Sequence, residues 1–282
     1  MVGYNPKTKE EALKLLAQKE DIQIFSGGTD LMVVKRFKEN VIFINQIEEL
    51  KGIEETKDEW QIGAGVTFTE LIESDMPDIM KTVCSQVASP AIRNRGTLGG
   101  NICNASPAGD TLPMWYALKA KVKLESMKDG EHIEERILPI KEFILGIRKL
   151  DRRPEELLTK IIVPKTYFTG KTYFYHKKVG ARRAEAISKL SFFGVSKIKD
   201  GKIESISAAF GAVGITVVKD ETLEAKMKGM DKETFSQQKE MLFDAYMEHV
   251  RPIDDQRSTA AYRKKVSGNL LRDFLDHTEE KM

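Results

Sequence analysis

Apolar positions in the first part of the chain change from helical spacing to strand spacing. A capping-box pattern, Thr-x-x-Glu, occupies residues 8–11, and apolar residues follow it at helical intervals up to Leu16. Apolar runs at residues 22–25 and 41–44 predict two strands, and the first of them leads directly into a glycine turn at residues 26–30. This pattern predicts a small α/β unit with a turn accessible to a ligand at the end of its first strand.

From residue 53 onward the spacing indicates short strands and helices. A turn at residues 57–59 leads into a strand at 60–64, and a second capping box at 67–70 begins a helix. The remaining predictions are a helix at 78–87, a hairpin with Asp-Gly at 129–130 between strands 122–126 and 133–138, and a strand at 157–163. Residues 89–110 hold six prolines and glycines, so we expect irregular backbone there.

A polar stretch near residues 167–171 separates the last third of the chain. Downstream of it, the spacing predicts three strands and then two amphipathic helices, at residues 172–178, 191–199, 203–213, 232–249 and 257–276. We therefore expect an α+β fold with a first domain over residues 1–168, divided into subdomains of about 1–55 and 56–168. A second domain of sheet plus helices is expected over residues 169–282.

Composition narrows the class of protein. The 282 residues carry 45 Lys and Arg against 43 Asp and Glu, and this near-balance argues against a nucleic-acid binder. The longest uncharged stretch, residues 205–218, is shorter than a membrane-spanning helix requires. No secretory signal is visible and the two cysteines cannot form a disulfide framework, so we expect a cytoplasmic protein without a membrane segment.

Motifs of the commonest enzyme classes are missing. The sequence has no P-loop, no G-x-S-x-G nucleophile elbow and no H-E-x-x-H zinc helix. Its four histidines are scattered, so we expect no protein-held metal, and the sequence shows no constellation of catalytic side chains. The closest match to a dinucleotide fingerprint, residues 63–68, has phenylalanine in place of the third glycine.

Two glycine-rich loops carry the candidate chemistry. In residues 26–30, paired glycines after a strand allow backbone N–H groups to approach an anion, and the hydroxyl of Thr29 can donate as well. Residues 96–101 repeat the design with Thr97 beside two adjacent glycines. Each loop alone is compatible with a simple tight turn. Together they suggest one extended phosphate-bearing ligand, such as a dinucleotide, held from both sides.

Short polar residues follow the second loop. Asn104, Ser106 and Asp110 can hydrogen-bond a ribose or an adenine, or they can cap turns and the next helix. Asp110 in particular is suited to be the N-cap of a helix through Trp115 and Leu118. The residues alone leave both interpretations open.

Residues 92–110 (IRNRGTLGGNICNASPAGD) resemble the second flavin motif of the FAD-binding subunit of xanthine dehydrogenase and related molybdenum hydroxylases, and residues 25–31 resemble its first motif. Residues 178–188 and the segment from Tyr262 to the C-terminus resemble later parts of the same family. The resemblance covers nearly the whole chain and implies an FAD domain of the vanillyl-alcohol-oxidase type (PCMH-like) with two α/β subdomains, followed by a small antiparallel sheet with helices.

The resemblance implies which residues bind FAD. Residues 26–30 and the side chains of Thr29, Thr97 and Asn101 would hold the pyrophosphate, and Asp110 would bind the ribose side. Lys178 would lie near the N1/C2 edge of the flavin and stabilise its reduced, anionic form. Without the resemblance, Lys178 reads as a solvated lysine in a basic run. The full implied set is Ser26, Gly27, Gly28, Thr29, Asp30, Leu31, Thr97, Gly99, Gly100, Asn101, Cys103, Asn104, Asp110, Leu158 and Lys178.

The resemblance also implies partners and a reaction. A molybdopterin subunit would hydroxylate the substrate, a [2Fe-2S] subunit would relay electrons, and this chain would pass them through non-covalent FAD to NAD⁺ or another acceptor. Two cysteines are too few for the family branch that carries an extra cluster in this subunit. Two alternatives stay open: a self-contained flavin reductase or oxidase, and a non-redox nucleotide-binding module within a complex. The hydroxylated substrate is not indicated by this chain.

Overall fold

The computed structural model describes all 282 residues. The helices are α1 (Lys9–Gln18), α2 (Leu31–Val34), α3 (Phe68–Glu73), α4 (Asp78–Ser85), α5 (Pro90–Arg93), α6 (Leu98–Asn104), α7 (Leu112–Ala117), α8 (Ile140–Phe143), α9 (Glu221–Met227), α10 (Lys232–Met247) and α11 (Ala260–Lys281). The strands are β1 (Val2–Tyr4), β2 (Ile22–Phe25), β3 (Asn40–Phe43), β4 (Ile53–Glu55), β5 (Glu59–Gly63), β6 (Lys121–Lys128), β7 (His132–Pro139), β8 (Ile144–Gly146), β9 (Lys149–Leu150), β10 (Leu157–Pro164), β11 (Lys171–Val179), β12 (Leu190–Lys199) and β13 (Lys202–Gly211). None of the helices combines the length and the apolar character needed to cross a membrane.

The first sheet is parallel, with strand order β1-β3-β2. Helix α1 covers it and buries Leu13 against Ile42 in a small core. The hydroxyl of Thr8 accepts from the backbone N–H of Glu11, as the capping-box pattern predicts, whereas the Glu11 carboxylate accepts from the N–H of Lys7. Strand β2 ends at the glycine turn of residues 26–30, so the packed sheet fixes the position of that turn.

The second sheet is antiparallel, with strand order β4-β5-β10-β6-β7. In its central strand, Ile161 lies between Ile62 of β5 and Val122 of β6, and all three side chains are fully buried. Helices α3, α4, α6 and α7 contribute residues to the same core, among them the fully buried Trp115. The helix that carries the second glycine loop, α6, is therefore anchored in the largest core of the molecule.

The third sheet, the C-terminal sheet, is antiparallel with strand order β11-β12-β13. Consecutive residues of a strand face opposite sides of a sheet, and Phe192 and Phe193 of β12 belong to different cores. Phe192 packs with Phe274 of α11, whereas Phe193 shares the core of Trp115 in α7. Helices α9 to α11 contribute residues to the core that contains Phe192. The α+β class and the small antiparallel sheet with helices are thus confirmed.

The expectation of irregular backbone over residues 89–110 is wrong, because α5 and α6 lie there. Position 99 of helix α6 requires glycine, because a Cβ there would lie 2.7 Å from the carbonyl oxygen of Ala64. Only glycine permits this close approach of helix and sheet. The breakers therefore mark tight packing of a helix and not the absence of one.

The alternative of Asp110 as a helix N-cap is not realised. Helix α7 begins at Leu112, and the flanking residue Thr111 caps it without a side-chain hydrogen bond. The carboxylate of Asp110 instead accepts hydrogen bonds from residues far along the chain. Helix α9 was missed, although its N-cap Asp220 accepts from two backbone N–H groups of the first turn.

Candidate functional site

The first glycine loop presents a row of backbone donors. The N–H groups of residues 26–30 donate to no acceptor elsewhere in the chain. Gly28 has φ +73°, a conformation that favours glycine, and a Cβ on Gly27 would lie 1.9 Å from the carbonyl oxygen of Arg95. Consecutive free amides without Cβ obstruction form a concavity suited to an anion.

The second loop touches the first. The hydroxyls of Ser26 and Thr97 are 3.1 Å apart, and the contact of Gly27 with Arg95 lies beside them. Thr97 is the N-cap of α6, and its Oγ1 accepts from the N–H of Gly100. The two turns, separated by about 70 residues of sequence, therefore meet at a single place, as the sequence pattern requires for one shared ligand.

The amides at the start of α6 are occupied within the protein. The N–H of Leu98 donates to the carbonyl of Val66, that of Gly99 to Ala64, and that of Gly100 to the Thr97 hydroxyl. Gly99 is buried against the second sheet, whereas Gly100 is exposed. Free backbone donors thus come from the first loop, and the second loop adds side chains.

Asn101 is oriented by its neighbours. Its Oδ1 accepts from the hydroxyl of Thr111 at 2.6 Å, which leaves the NH₂ group of the side chain as the free end. Cys103 and Asn104 lie in the last turn of the same helix and are half-buried. Burial raises the pKa of the Cys103 thiol to about 11, so that it stays protonated at neutral pH and is a poor nucleophile.

Asp110 and Lys178 form a buried ion pair. Lys178 Nζ lies 2.7 Å from Asp110 Oδ2, and the two side chains are only 8% and 10% exposed. Nζ also donates to the carbonyl oxygen of Gln86 at 2.7 Å, and Ser188 Oγ donates to Asp110 Oδ1 at 2.5 Å. Burial raises the pKa of Asp110, and the charge of Lys178 opposes that effect. Lys178 is therefore not a solvated lysine, unlike the exposed Lys177, Arg182 and Arg183 of the same run.

His176 lies two residues before Lys178 on β11 and is thus on the same face of the sheet. Burial lowers its pKa to about 4, so the ring is neutral at physiological pH. Its Nδ1 lies 3.1 Å from the carbonyl oxygen of Phe192, and its buried Nε2 has no partner. The position therefore adds a neutral polar group, and no charge, to the buried pair.

The side chains of the other predicted residues have different surroundings. Asp30 pairs at 3.3 Å with Arg148 of the β8–β9 hairpin, and Leu31 begins α2. Leu158 is 4% exposed, with its side chain in the core of the second sheet. Thr29, in the first loop, is half-buried.

Several contacts of the site were not predicted from the sequence. Ser188 is separated from Asp110 by 78 residues and Arg148 from Asp30 by 118, and neither carries a local signal. Thr111 caps α7 without a side-chain hydrogen bond, so a capping signal does not indicate its contact with Asn101 either. Long-range partners of this kind require the fold.

These features fit a dinucleotide cofactor. The first loop offers a row of free backbone amides, and the two converging turns bring the hydroxyls of Ser26 and Thr97 together beside it. The class of protein that the fold and the site define is an FAD-binding oxidoreductase component. A family model described as "FAD binding domain in molybdopterin dehydrogenase" matches residues 2–166, and one described as "CO dehydrogenase flavoprotein C-terminal domain" matches residues 175–278. The chain belongs to the family of FAD-binding medium subunits of molybdenum hydroxylases.

Individual relatives agree with this assignment. The chain is 30% identical to the nicotinate dehydrogenase FAD-subunit of Eubacterium barkeri, over 98% of this chain and 96% of that protein. It is 26% identical to the xanthine dehydrogenase FAD-binding subunit of Escherichia coli O157:H7, over 92% of this chain and 89% of that protein. A solved structure of carbon monoxide dehydrogenase from Hydrogenophaga pseudoflava matches with a TM-score of 0.86 and 26% identity, over 99% of this chain and 97% of that chain.

Proposed function

We propose that this FAD-binding subunit takes electrons from the [2Fe-2S] clusters of a partner subunit and passes them through non-covalent FAD to NAD⁺ or another acceptor. The molybdopterin centre would lie on a third subunit. The observation that carries the proposal is the meeting of Ser26 with Thr97 beside five free backbone amides. Bound FAD would supply the exchange of one and two electrons that no amino-acid side chain provides.

The residues of this chain would bind and orient the cofactor. The amides of residues 26–30, with Thr97 and the NH₂ group of Asn101, would donate to the pyrophosphate. Asp110 would accept from the ribose side, and Lys178 would hold a positive charge beside it. Gly27 and Gly99 would allow the two loops to pack against Arg95 and Ala64, and Gly28 and Gly100 would complete the glycine pairs beside the cofactor. Leu31, Cys103, Asn104 and Leu158 would lie near the cofactor. We also propose residues 1–168 and 169–282 as the two domains.

No side chain of the chain would act as an acid, base or nucleophile. Burial raises the pKa of the Cys103 thiol to about 11, which keeps it protonated, and lowers the pKa of His176 to about 4, which makes its ring a weak base. Relatives with similar sequence identity to this chain are named for nicotinate, xanthine and carbon monoxide. Because the same kind of subunit occurs with such different substrates, we propose that the substrate pocket lies on another subunit. The exposed Arg182 and Arg183 are suited to the phosphates of NAD.

An exposed apolar patch supports the docking of a partner. The α2–hairpin patch consists of Met32, Val33, Phe37, Leu145 and Ile147, all exposed. The Arg148–Asp30 pair joins its two halves next to the first glycine loop, and exposed Lys35, Arg36 and Lys149 add positive charge around it. Electron transfer requires a donor close to the flavin, so we propose that the iron–sulfur subunit covers this patch with an apolar surface rimmed by acidic residues.

The test of the proposed site is the double substitution Thr97→Val with Asn101→Asp. Valine removes the hydroxyl that joins the two loops, and aspartate places a negative charge against the pyrophosphate while it can still accept from Thr111. We expect FAD affinity to fall by at least about tenfold in a titration followed by flavin fluorescence.

Thr259→Val is the matched control, because Thr259 is also an N-cap whose side chain accepts from the third helical residue, but of α11. It should lose about 1 kcal/mol of stability and keep its FAD affinity. Unchanged FAD affinity in the double variant would remove the assigned site. Reduction of the bound FAD by NADH in the same preparation supports NAD⁺ as acceptor, and sustained turnover without partners would favour the self-contained reductase.

A further inference from the structure

The segment between α6 and α7 carries Asp110 and is held by the C-terminal sheet. Ser188, in the connection between β11 and β12, donates to Asp110 Oδ1 at 2.5 Å. Lys178 at the end of β11 donates to Asp110 Oδ2 at 2.7 Å and to the carbonyl of Gln86 at 2.7 Å. Each carboxylate oxygen of Asp110 is thus bound by a different residue from the part of the chain that follows residue 170.

A second tether fixes the same segment. The N–H of Ala212 donates to the carbonyl oxygen of Pro107 at 2.7 Å. A Cβ on the neighbouring Gly211 would lie 3.0 Å from Pro113 Cγ in α7 and 3.5 Å from the carbonyl oxygen of Pro107, so the end of β13 packs closely against the segment and the start of α7. The residues on both sides of Asp110 are therefore in contact with the sheet.

Ser188 is not required for charge balance, because Lys178 alone neutralises Asp110. The residue is nevertheless buried, with 1% of its surface exposed, and its hydroxyl donates to this carboxylate. A buried ion pair is favourable only when its geometry is good and its remaining lone pairs are satisfied. A hydrogen bond to the second oxygen fixes the rotation of the carboxylate, and thereby the direction in which Lys178 is held.

We propose that Ser188 is a positioning residue of the flavin site: it fixes the carboxylate of Asp110 against Lys178, and so allows the C-terminal sheet to set the affinity and the reduction potential of bound FAD. The inference rests on the proposed function, because it takes Asp110 and Lys178 to lie at the cofactor. It adds a residue outside both glycine loops that acts without touching the cofactor.

Ser188→Ala in the full-length chain is the first test. We expect FAD affinity to fall about tenfold, because the hydrogen bond lost is one to a buried charged group. The control is Ser267→Ala, which removes an equally buried hydroxyl that donates to Arg263 of its own helix α11. The control should keep its FAD affinity, while the melting temperatures of the two apo variants should be similar.

The reduction potential separates positioning from a merely structural role. Asp110→Asn removes a negative charge next to Lys178, and we expect it to favour reduced over oxidised FAD by about tenfold, which is ~30 mV for a two-electron couple. Ser188→Ala should shift the potential in the opposite direction and by less, because the negative charge of the carboxylate loses the screening of a hydrogen bond and Lys178 is held less firmly. In the Asp110→Asn background, Ser188→Ala should have no further effect on affinity or potential.

The outcomes distinguish two failures. A wild-type chain that binds no FAD would overturn the proposed function and this inference with it. A wild-type chain that binds FAD, with affinity and potential unchanged in Ser188→Ala, would overturn the inference alone. Additive effects of Ser188→Ala and Asp110→Asn would also overturn it, since the serine would then act through another group.

Discussion

Lys178 and Asp110 illustrate how burial changes the role of a charged residue. The sequence places Lys178 in a basic run, yet its side chain is 8% exposed whereas those of its basic neighbours face solvent. Lys178 lies on the face of β11 that meets Asp110 and Gln86, whereas Lys177 lies on the other face and Arg182 and Arg183 follow the end of the strand. No local pattern distinguishes the two faces of such a run, so the pairing with Asp110 could not be predicted.

Lys178→Ala should destabilise the chain. It leaves the Asp110 carboxylate buried without its cation, and we expect the free energy of unfolding to fall by about 3 kcal/mol near neutral pH. The pKa of Asp110 is already raised by burial in the native state, so its ionised form opposes folding above that pKa and this cost disappears as the pH falls below it. Urea unfolding at about pH 8 and about pH 5 measures the difference, which should be smaller at the lower pH.

The same variant should lower the potential of bound FAD, because a positive charge beside the reduced, anionic form is lost. A potential equal to that of the wild type would place Lys178 away from the flavin ring. A stability loss that does not shrink at lower pH would contradict the role assigned to Asp110.

At the scale of elements, a helix or hairpin can be predicted from the sequence when the residues that determine it are neighbours along the chain. The hairpin at Asp129 and Gly130 was predicted because its turn requires positive φ at both residues, and both have it. Helix α6 was not predicted, because the glycines that argue against a helix are required by contact with Ala64 on the second sheet. The two glycine loops were identified from sequence, but the Ser26–Thr97 contact that joins them depends on the packing of two sheets.

Gly27→Ala should separate the two loops. The new Cβ would lie 1.9 Å from the main-chain oxygen of Arg95, which cannot rotate away, so one loop must move. We expect loss of about 1–3 kcal/mol of stability from the overpacked contact, together with at least about tenfold weaker FAD binding. Gly146→Ala is the control, because its Cβ would meet nothing closer than 3.8 Å. Equal FAD affinity in the two variants would show that the loops need not touch to bind the cofactor.

At the scale of the whole molecule, the proposed docking surface can be tested with one charge. Ile147→Asp places a carboxylate in the α2–hairpin patch, and we expect it to weaken association with the co-expressed iron–sulfur subunit by about tenfold while FAD content is unchanged. Ile253→Asp is the control, because Ile253 is similarly exposed and outside the patch. Size-exclusion chromatography of the complexes measures the effect. Undiminished assembly of Ile147→Asp would place the partner elsewhere.

The shared core between α7 and the C-terminal sheet has a consequence for biosynthesis. The segment that carries Asp110 is synthesised early, but the groups that fix it, at Lys178, Ser188 and Ala212, emerge much later from the ribosome. We therefore expect that the nascent flavin-side half does not reach its final geometry by itself, because its apolar helix α7 is uncovered until β13 is made. Cofactor loading should thus follow translation of roughly the first three quarters of the polypeptide.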